Sequence, residues 1–342
     1  MPPSTVHVRR WPLAGVLRQA MCPAISGLLL TLGGCRTAPQ ELTVPISSWP
    51  GYEYLHLARE KGFDRLENLS LKLVAFPDPQ EIVHAYLRGE LAIAQLTTVE
   101  AVDLCARLPK RCPVVVLVLD ESLGADQVVA RNDIDDIADL RHQPVAVTPS
   151  TLGPYVLSRA LESRGLQLED VQIRPMPLGA MAESLRRGEV AGAALFPPFS
   201  DEALRDGQNR TLFTSREIPG EILDVLVVEP RLLASRPEAI AHLLRAWARA
   251  HHYADRQPRD AINRMARRER VTPEAFHLSL QGLGFRTLAE QQPLFRAHGA
   301  LEANLRSVQR VQIGLGLMEA APLPTVDGAP LRQALAGSPL SP

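Results

Sequence analysis

The sequence has no excess of charge of either sign. Its 342 residues include 37 Lys and Arg against 38 Asp and Glu, which gives a formal net charge of -1. Nucleic-acid-binding domains carry a basic excess, so this balance indicates no nucleic-acid partner. The 46% hydrophobic and 22% charged residues that are present are ordinary for a globular chain. The length suits two domains of roughly 150 residues each.

Several common catalytic and metal-site motifs are missing as well. The nine histidines do not show the spacing of metal ligands, such as two His separated by three residues near a Cys pair. The pattern Gly-x-Ser-x-Gly is absent, which excludes the nucleophile elbow of many hydrolases. We therefore expect no metal, no cofactor and no enzyme activity.

The chain also lacks an apolar run long enough to span a bilayer, which needs about 20 residues. The N-terminal run covers residues 21–32 only, and three basic residues precede it: Arg9, Arg10 and Arg18. A basic segment followed by a short apolar one is typical of a secretory signal.

This segment ends at Leu32-Gly33-Gly34-Cys35, which resembles the bacterial lipobox. The resemblance implies that residues 1–34 are a lipoprotein signal peptide and that Cys35 becomes the lipid-modified first residue. Residues 35–41 would then be a tether. The protein would lie on the periplasmic side of a bacterial membrane, in contact with it only through the lipid. The alternative is a plain signal peptide with an incidental Cys.

Only four cysteines are present, and two of them, Cys105 and Cys112, lie beyond the N-terminal segment. In an oxidising compartment they could close a small disulfide between a helix end and the next strand. Two separately buried thiols are the alternative, since the geometry cannot be read from the sequence.

A strand–turn–helix pattern stands at residues 42–62. A short β-type run at 42–46 breaks at Ser47-Ser48-Trp49-Pro50-Gly51, and apolar residues then recur at helical spacing up to Gly62. In open α/β sheets, ligands bind at such turns, at the carboxyl ends of strands. We expect Trp49 and Tyr52 to form a wall for a small molecule. Alternatively, these aromatic side chains pack onto the helix below.

Strands and helices alternate along the rest of the chain. The predicted strands are 69–76, 91–96, 114–119, 127–130, 145–147, 171–173 and 190–196, with helices between most of them. After a further β run at 219–228, the chain is predicted to be mostly helical. This order is typical of parallel-rich sheets with crossover helices.

Two segments share one plan of helix, Arg-Gly-Glu and apolar strand. They are residues 84–94 and 183–193. The match favours two similarly built lobes. It could also be coincidence, because Gly is common at the end of a helix.

The element order and five motifs together resemble the solute-binding proteins of ABC importers in the nitrate/sulfonate/taurine group, which includes the thiamine-precursor binders. The resemblance covers roughly residues 42–317. The motifs are Trp49-Pro50-Gly51-Tyr52, Leu57-Ala-Arg-Glu-Lys-Gly62, Asp120-x-Ser-x-Gly-Ala-Asp126, Asp139-Leu140 and Pro219-Gly-Glu-Ile-x-Asp224-Val-Leu-Val-Val.

The resemblance implies an α/β, type II periplasmic binding protein fold with a ligand cleft between two lobes. Lobe one would be 42–119 plus 225–320, and lobe two 120–224, with crossing segments near 119–122 and 224–227. The Pro-rich tail, 321–342, is expected to be disordered, because such segments bury too little apolar surface.

The same resemblance places a set of side chains in the cleft: Ser48, Trp49, Tyr52, Thr97, Thr98, Asp120, Ser122, Asp126, Ser150, Thr151, Phe196 and Asp224. Simpler roles stand beside some of them. Thr97 and Thr98 could cap the following helix, Asp120 and Asp126 could brace a hinge loop, and Phe196 could pack into a core.

Two features bear on the ligand. Ser150 or Thr151 would begin a helix whose free N–H groups suit an anionic group, or water alone could occupy those donors. The acidic candidates suit a zwitterion or an amino-bearing ring instead. Leu195-Phe196-Pro197-Pro198 departs from the pattern in which some members of the group have an acidic residue and Ala or Trp before the last proline.

The function implied is that of a monomeric, lipid-anchored protein that captures a small polar or anionic solute. It would deliver the solute to an ABC permease and ATPase complex. The alternatives are a ligand-sensing lipoprotein that docks on a signalling partner and an enzyme similar to pyrimidine synthases. The His- and Cys-rich constellation of those enzymes is not found in this sequence.

Overall fold

The computed structural model describes residues 38–148 and 152–337. The predictions made for the signal segment, Cys35, Ser150 and Thr151 therefore lie outside the described residues. Among the helices of these two ranges, not one has both the length and the apolar character to cross a membrane.

β-Strands run through the whole of the described chain. They are β1 Gln40–Ile46, β2 Leu69–Ala75, β3 Ile93–Thr97, β4 Val114–Ser122, β5 Gln127–Arg131, β6 Pro144–Val147, β7 Gln172–Pro175, β8 Gly192–Leu195, β9 Asn209–Thr214, β10 Leu223–Val228, β11 Leu283–Gly284 and β12 Thr325–Val326.

Helices alternate with the strands in the first two thirds and dominate the last third. They are α1 Glu53–Glu60, α2 Phe63–Leu66, α3 Pro79–Leu87, α4 Thr98–Arg107, α5 Leu152–Glu162, α6 Leu178–Arg186, α7 Phe199–Leu204, α8 Pro230–Ser235, α9 Pro237–Arg256, α10 Pro258–Glu269, α11 Pro273–Leu280, α12 Leu288–Gln291, α13 Ala300–Gly314 and α14 Ala329–Ala336.

The strands form two lobes. The first lobe has the sheet β11-β4-β10-β3, with β12 on β4, and the parallel pair β1-β2 beside it. The second lobe has the sheet β7-β6-β8-β5-β9. This is the two-lobed α/β architecture of periplasmic binding proteins that the sequence predicts. The exact lobe boundaries given above remain a prediction.

The expectation of parallel-rich sheets is wrong for the centre of the first lobe. Strand β10 comes back from the second lobe, lies between β3 and β4, and pairs antiparallel with both. The pairs β6-β7 and β6-β8 of the second lobe are parallel. Strand β10 therefore forms backbone hydrogen bonds with both β3 and β4, two strands that the sequence pattern would have paired with each other.

Two linking segments connect the lobes and are bonded to each other. The Ser122 hydroxyl lies 2.8 Å from the Ser215 hydroxyl, and the Ser215 hydroxyl also accepts from the Gly124 N–H at 2.7 Å. The Asp126 N–H donates to Ser122 Oγ at 3.1 Å. Ser122 therefore holds the hinge together.

The two matching segments, 84–94 and 183–193, build the same turn. Gly89 and Gly188 have φ of 78° and 69°, a left-handed conformation that favours glycine. In each turn the following Glu N–H donates 3.0 Å back to the helix, Glu90 to Ala85 and Glu189 to Ser184. The turns lead into β3 and β8, which occupy different lobes.

The C-terminal part differs from the disordered tail that the sequence predicts. Strand β12 pairs with β4, and α14 packs on α9 with Leu331 and Ala334 buried. Arg245 Nη1 donates to the Ala334 carbonyl at 3.0 Å. The prediction is wrong for these elements. A proline-rich composition does not reveal that Leu331 and Ala334, one turn apart on α14, pack against α9.

Cys105, near the end of α4, and Cys112, just before β4, form a disulfide. It closes the turn between a helix end and the next strand, which is the first of the two alternatives above.

Candidate functional site

A cleft of about 620 Å³ lies between the lobes. The first lobe contributes Trp49, Tyr52, Asp78, Thr97, Glu100 and Asp224. The second lobe contributes Thr148, Leu152, Val156, Leu178, Leu195 and Phe196, and the linking segment contributes Asp126. Most of these residues follow the carboxyl end of a strand or begin the next helix, which is where α/β sheets bind ligands.

Aromatic side chains from both lobes meet across the cleft. Trp49 lies in the turn after β1, and Phe196 directly follows β8. Their ring centroids are 5.5 Å apart at 83°, an edge-to-face contact. Tyr52 lies on the other side of Trp49, with ring centroids 6.4 Å apart. Together the three rings form one wall of the cleft.

Trp49 is held by a carboxyl group behind it. Its Nε1–H donates to both oxygens of Asp120, at 3.3 and 3.2 Å, and Asp120 is fully buried. Gly51 makes this approach possible, because a Cβ at that position would collide with the Asp120 carboxyl. Asp120 therefore positions the aromatic wall and does not itself line the cleft.

Asp224 lies beside Asp120 because β10 pairs with β4 at these two residues. On its other side, Asp224 is opposite Thr97 of β3. The Tyr52 hydroxyl donates to Asp224 Oδ1 at 2.5 Å. The second oxygen, Oδ2, is buried and has no hydrogen-bond partner among the described residues.

Thr97 and Glu100 form a capping box at the start of α4. The Thr97 N–H and hydroxyl donate to Glu100 Oε2 at 2.9 and 3.1 Å, and the Glu100 N–H donates to Thr97 Oγ1 at 3.3 Å. The capping role that was the alternative for Thr97 is thus present. Both side chains nevertheless line the cleft.

Asp126 enters the cleft from the linking segment. The side chain is 2% exposed, and its Oδ2 has no hydrogen-bond partner in the described part of the chain. Asp126 therefore has one oxygen without a donor, while the Asp224 carboxyl group can accept a hydrogen bond from the Asp120 carboxyl group when the latter is protonated.

Burial changes the protonation of this group of carboxyls. It raises the pKa of Asp120 to about 8, with a further contribution from the charge of Asp126, while the Trp49 hydrogen bond acts in the opposite direction. It also raises the pKa of Glu100 to about 7 and that of Asp126 to about 6. The pKa of Asp224 is raised first by burial and then by the charge of Asp120. The described lining contains no Lys, Arg or His that could offset these charges.

Six predicted residues line the cleft: Trp49, Tyr52, Thr97, Asp126, Phe196 and Asp224. Four predicted residues do not line it. Asp120 lies behind Gly51, Ser122 bonds within the hinge, Thr98 is fully buried in the first turn of α4, and Ser48 is a half-buried turn residue outside the lining.

The sequence reasoning missed several lining residues. Asp78 and Thr148 follow β2 and β6, so the rule that ligands bind at the carboxyl ends of strands would have found them. Glu100 stands three residues after Thr97, which is the spacing of a capping box. The apolar residues Leu152, Val156 and Leu178 have no comparable signal, because such side chains are common on any helix.

Comparison with other sequences identifies related proteins. A family model described as "NMT1-like family" matches residues 37–268. The taurine-binding periplasmic protein of Escherichia coli (strain K12) is 26% identical over 170 residues, which are 48% of this chain and 51% of that protein. The chain spans about half the length of the curated relatives it matches.

Solved structures with the same fold cover more of the chain. The alkanesulfonate-binding protein SsuA from Xanthomonas axonopodis pv. citri has a TM-score of 0.72 and 15% identity, over 86% of this chain and all (100%) of that one. The desulfurization enzyme DSZB has a TM-score of 0.63 and 20% identity, over 86% and 99% of the two chains. At these identities the similarity shows the fold alone.

Proposed function

Because the chain belongs to the NMT1-like family, we propose that it is a solute-binding protein of an ABC importer. It captures a small polar solute in the cleft between its lobes and delivers the solute to a permease and ATPase complex. One observation carries the proposal: the cleft is lined from both lobes, and two bonded linking segments connect them.

Closure follows from this arrangement. A solute in the cleft would contact residues of both lobes, such as Tyr52 of the first and Val156 of the second, so it would stabilise the state in which the lobes are close. Domain closure around a ligand by hinge bending is a common transition in such folds.

The names of the relatives support a small solute and a periplasmic location. They state binding of taurine and of alkanesulfonate, and they place the taurine binder in the periplasm. A disulfide between Cys105 and Cys112 agrees with an oxidising compartment. We therefore propose a periplasmic location.

We also propose anchoring through a lipid on Cys35, a residue outside the described ranges. Fractionation of cells that express Cys35→Ala tests this proposal. The variant should move from the membrane to the soluble periplasmic fraction while its solute binding is unchanged. Continued membrane retention would contradict the anchor.

The protein is proposed to bind without catalysis. The relatives whose names state taurine or alkanesulfonate as the ligand are named as binding proteins, which supports this proposal. The likeness to DSZB extends to the fold and supports no reaction here.

A combined binding and transport experiment tests the function. A thermal-shift screen with sulfonates, nitrate, taurine and aminopyrimidines selects solutes, because a ligand at about 100 times its dissociation constant adds about 2.7 kcal/mol of stability. Small-angle scattering then measures closure, and uptake is measured in cells that lack the chain. We expect closure and loss of uptake for the same solute. Binding and closure with unchanged uptake would contradict delivery and favour a sensing role.

A further inference from the structure

We infer that the cleft selects a small organic cation, with N–H donors on an ammonium or amidinium group and an apolar body. This inference rests on the proposed solute-binding function and specifies its ligand class. It differs from the anionic solutes that the names of the sulfonate-binding relatives state.

The first argument is the charge of the lining. Four carboxyl groups line the cleft, those of Asp78, Glu100, Asp126 and Asp224, and the described lining has no basic side chain. An anion that enters this cleft loses its water next to carboxyl groups that repel it when they are ionised. A cation is attracted by the same ionised carboxyl groups, and this attraction is strong because charges in the cleft are weakly screened.

The second argument is independent of the charge count. Asp126 and Asp224 are 2% and 1% exposed and line the cleft. Asp126 Oδ2 has no hydrogen-bond partner among the described residues, whereas the Asp224 carboxyl group lies within hydrogen-bonding reach of the Asp120 carboxyl group. A buried acceptor without a donor is unfavourable. The protein places its own donor, the Tyr52 hydroxyl, on Oδ1 of Asp224. The unpaired oxygen of Asp126 is suited to an N–H group of a ligand.

The apolar part of the lining is suited to the body of such a ligand. Trp49 and Phe196 present rings in edge-to-face contact, and Leu152, Val156 and Leu178 line the second lobe. An aromatic face also attracts a cation within about 6 Å of the ring centroid. The described residues contain no group of three His, Cys, Asp or Glu that could hold a metal ion, which favours an organic cation over a metal.

The positive ends of the helices at the cleft do not offset the negative charge of the carboxyl groups in its lining. The start of α4 already has its own carboxylate, that of Glu100, in the capping box. The start of α5 also faces the cleft, through Leu152 and Gly153. A helix N-terminus carries about half a positive charge, which is small against four carboxyl groups.

The carboxyl groups also give the binding a proton signature. Burial raises the pKa values of Glu100, Asp126 and Asp224, so part of this group is protonated in the empty cleft near neutral pH. A cation favours the ionised forms and releases protons when it binds. An anion favours the protonated forms and takes protons up. No basic side chain of the described lining interferes with this sign.

Calorimetric titration of the full-length protein tests the inference. The probes are benzylamine and benzamidine as cations, benzyl alcohol as a neutral analogue, and benzenesulfonate and taurine. Each is titrated at neutral pH in two buffers that differ in ionisation enthalpy, which measures proton release. We expect both cations to bind at least about tenfold more tightly than the matched alcohol and sulfonate, a difference of about 1.4 kcal/mol, with release of protons.

Substitutions of the buried carboxyl groups test whether these groups bind the cation. Asp126→Asn and Asp224→Asn should each weaken the cations by about tenfold or more, because loss of one member of a buried charge pair affects binding strongly. The matched control is Asp64→Asn, a buried Asp of α2 that accepts from the backbone N–H groups of Arg65 and Leu71 and does not line the cleft. It should leave the affinity unchanged. If a cleft variant does not fold, the proton release of the unchanged protein still decides the question.

Three results would overturn the inference: tighter binding of benzenesulfonate or taurine with proton uptake, equal binding of the alcohol and the amine, or no binding of either cation at millimolar concentration. The uptake and closure experiment separates these from failure of the proposed function. A solute of another class that closes the lobes and depends on the chain for uptake would leave that function standing.

Discussion

Trp49 shows how one residue can serve both the fold and the candidate site. Its ring faces Phe196 across the cleft, while its indole N–H holds the buried carboxyl of Asp120. The side chain therefore lines the cleft and also bonds a buried carboxyl group, while its contact with a ligand stays a prediction. A substitution at this position is expected to affect stability as well as binding.

At the scale of single residues, we predict that the contributions of Trp49 and Asp120 to the free energy of unfolding are coupled. Trp49→Phe keeps a ring but removes the N–H donor, which should lower the free energy of unfolding by about 1–3 kcal/mol, since a buried acceptor loses its partner. In an Asp120→Asn background the loss should be smaller, because the amide presents one acceptor oxygen to the indole N–H where the carboxyl group presents two.

Urea unfolding of the parent, both single variants and the double variant measures this coupling. We expect about 0.5–3 kcal/mol, as found for side chains in contact. Additive losses would show that the hydrogen bond between Trp49 and Asp120 does not contribute to stability.

At the scale of elements, α14 is the part whose role differs most from the sequence prediction. Its Leu331 is 1% exposed, and Arg245 of α9 donates both to the Ala334 carbonyl and to Glu67. The helix thus covers a buried ion pair and adds apolar contacts to the first lobe.

Leu331→Ala tests whether α14 is a packed element in solution. A buried leucine should cost about 2–5 kcal/mol when it is truncated. The control is Gln333→Ala on the exposed side of the same helix, which should change the unfolding free energy by less than about 0.5 kcal/mol. Both are measured by urea unfolding, and equal, negligible effects would support the disordered tail that the sequence predicts.

For the whole molecule, the buried carboxyl groups connect stability to pH. Burial raises the folded-state pKa of Asp120 to about 8, against about 4 in the unfolded chain. Between these values the folded state binds more protons than the unfolded state. The contribution of this group to stability therefore falls as pH rises, and it is unaffected below the unfolded pKa.

Asp120→Asn removes this ionisable group, since an amide does not ionise, and it also removes the charge that raises the pKa of Asp224. Both changes act in the same direction on stability. The unfolding free energy of the variant minus that of the parent should increase from about pH 4 to about pH 8, the window set by the two pKa values. Urea unfolding at several pH values, without added solute, measures the difference. A constant difference across the window would show that Asp120 is ionised throughout.

Local sequence determined much of the fold. Strand and helix alternation, and the glycines that end α3 and α6, depend on side chains within a few residues of each other. Turn residues such as Trp49, Tyr52 and Thr97 could be assigned to the cleft because the carboxyl ends of strands meet there.

The tertiary structure alone decided what these residues contact. The insertion of β10 between β3 and β4 places Asp224 beside Asp120. It thereby brings together buried carboxyl groups whose pKa values are raised. The packing of α14 on α9 and the hinge role of Ser122 likewise depend on partners far away in the chain. Periodicity and capping act over one or two turns, so they carry no information on which distant segment satisfies a buried polar group.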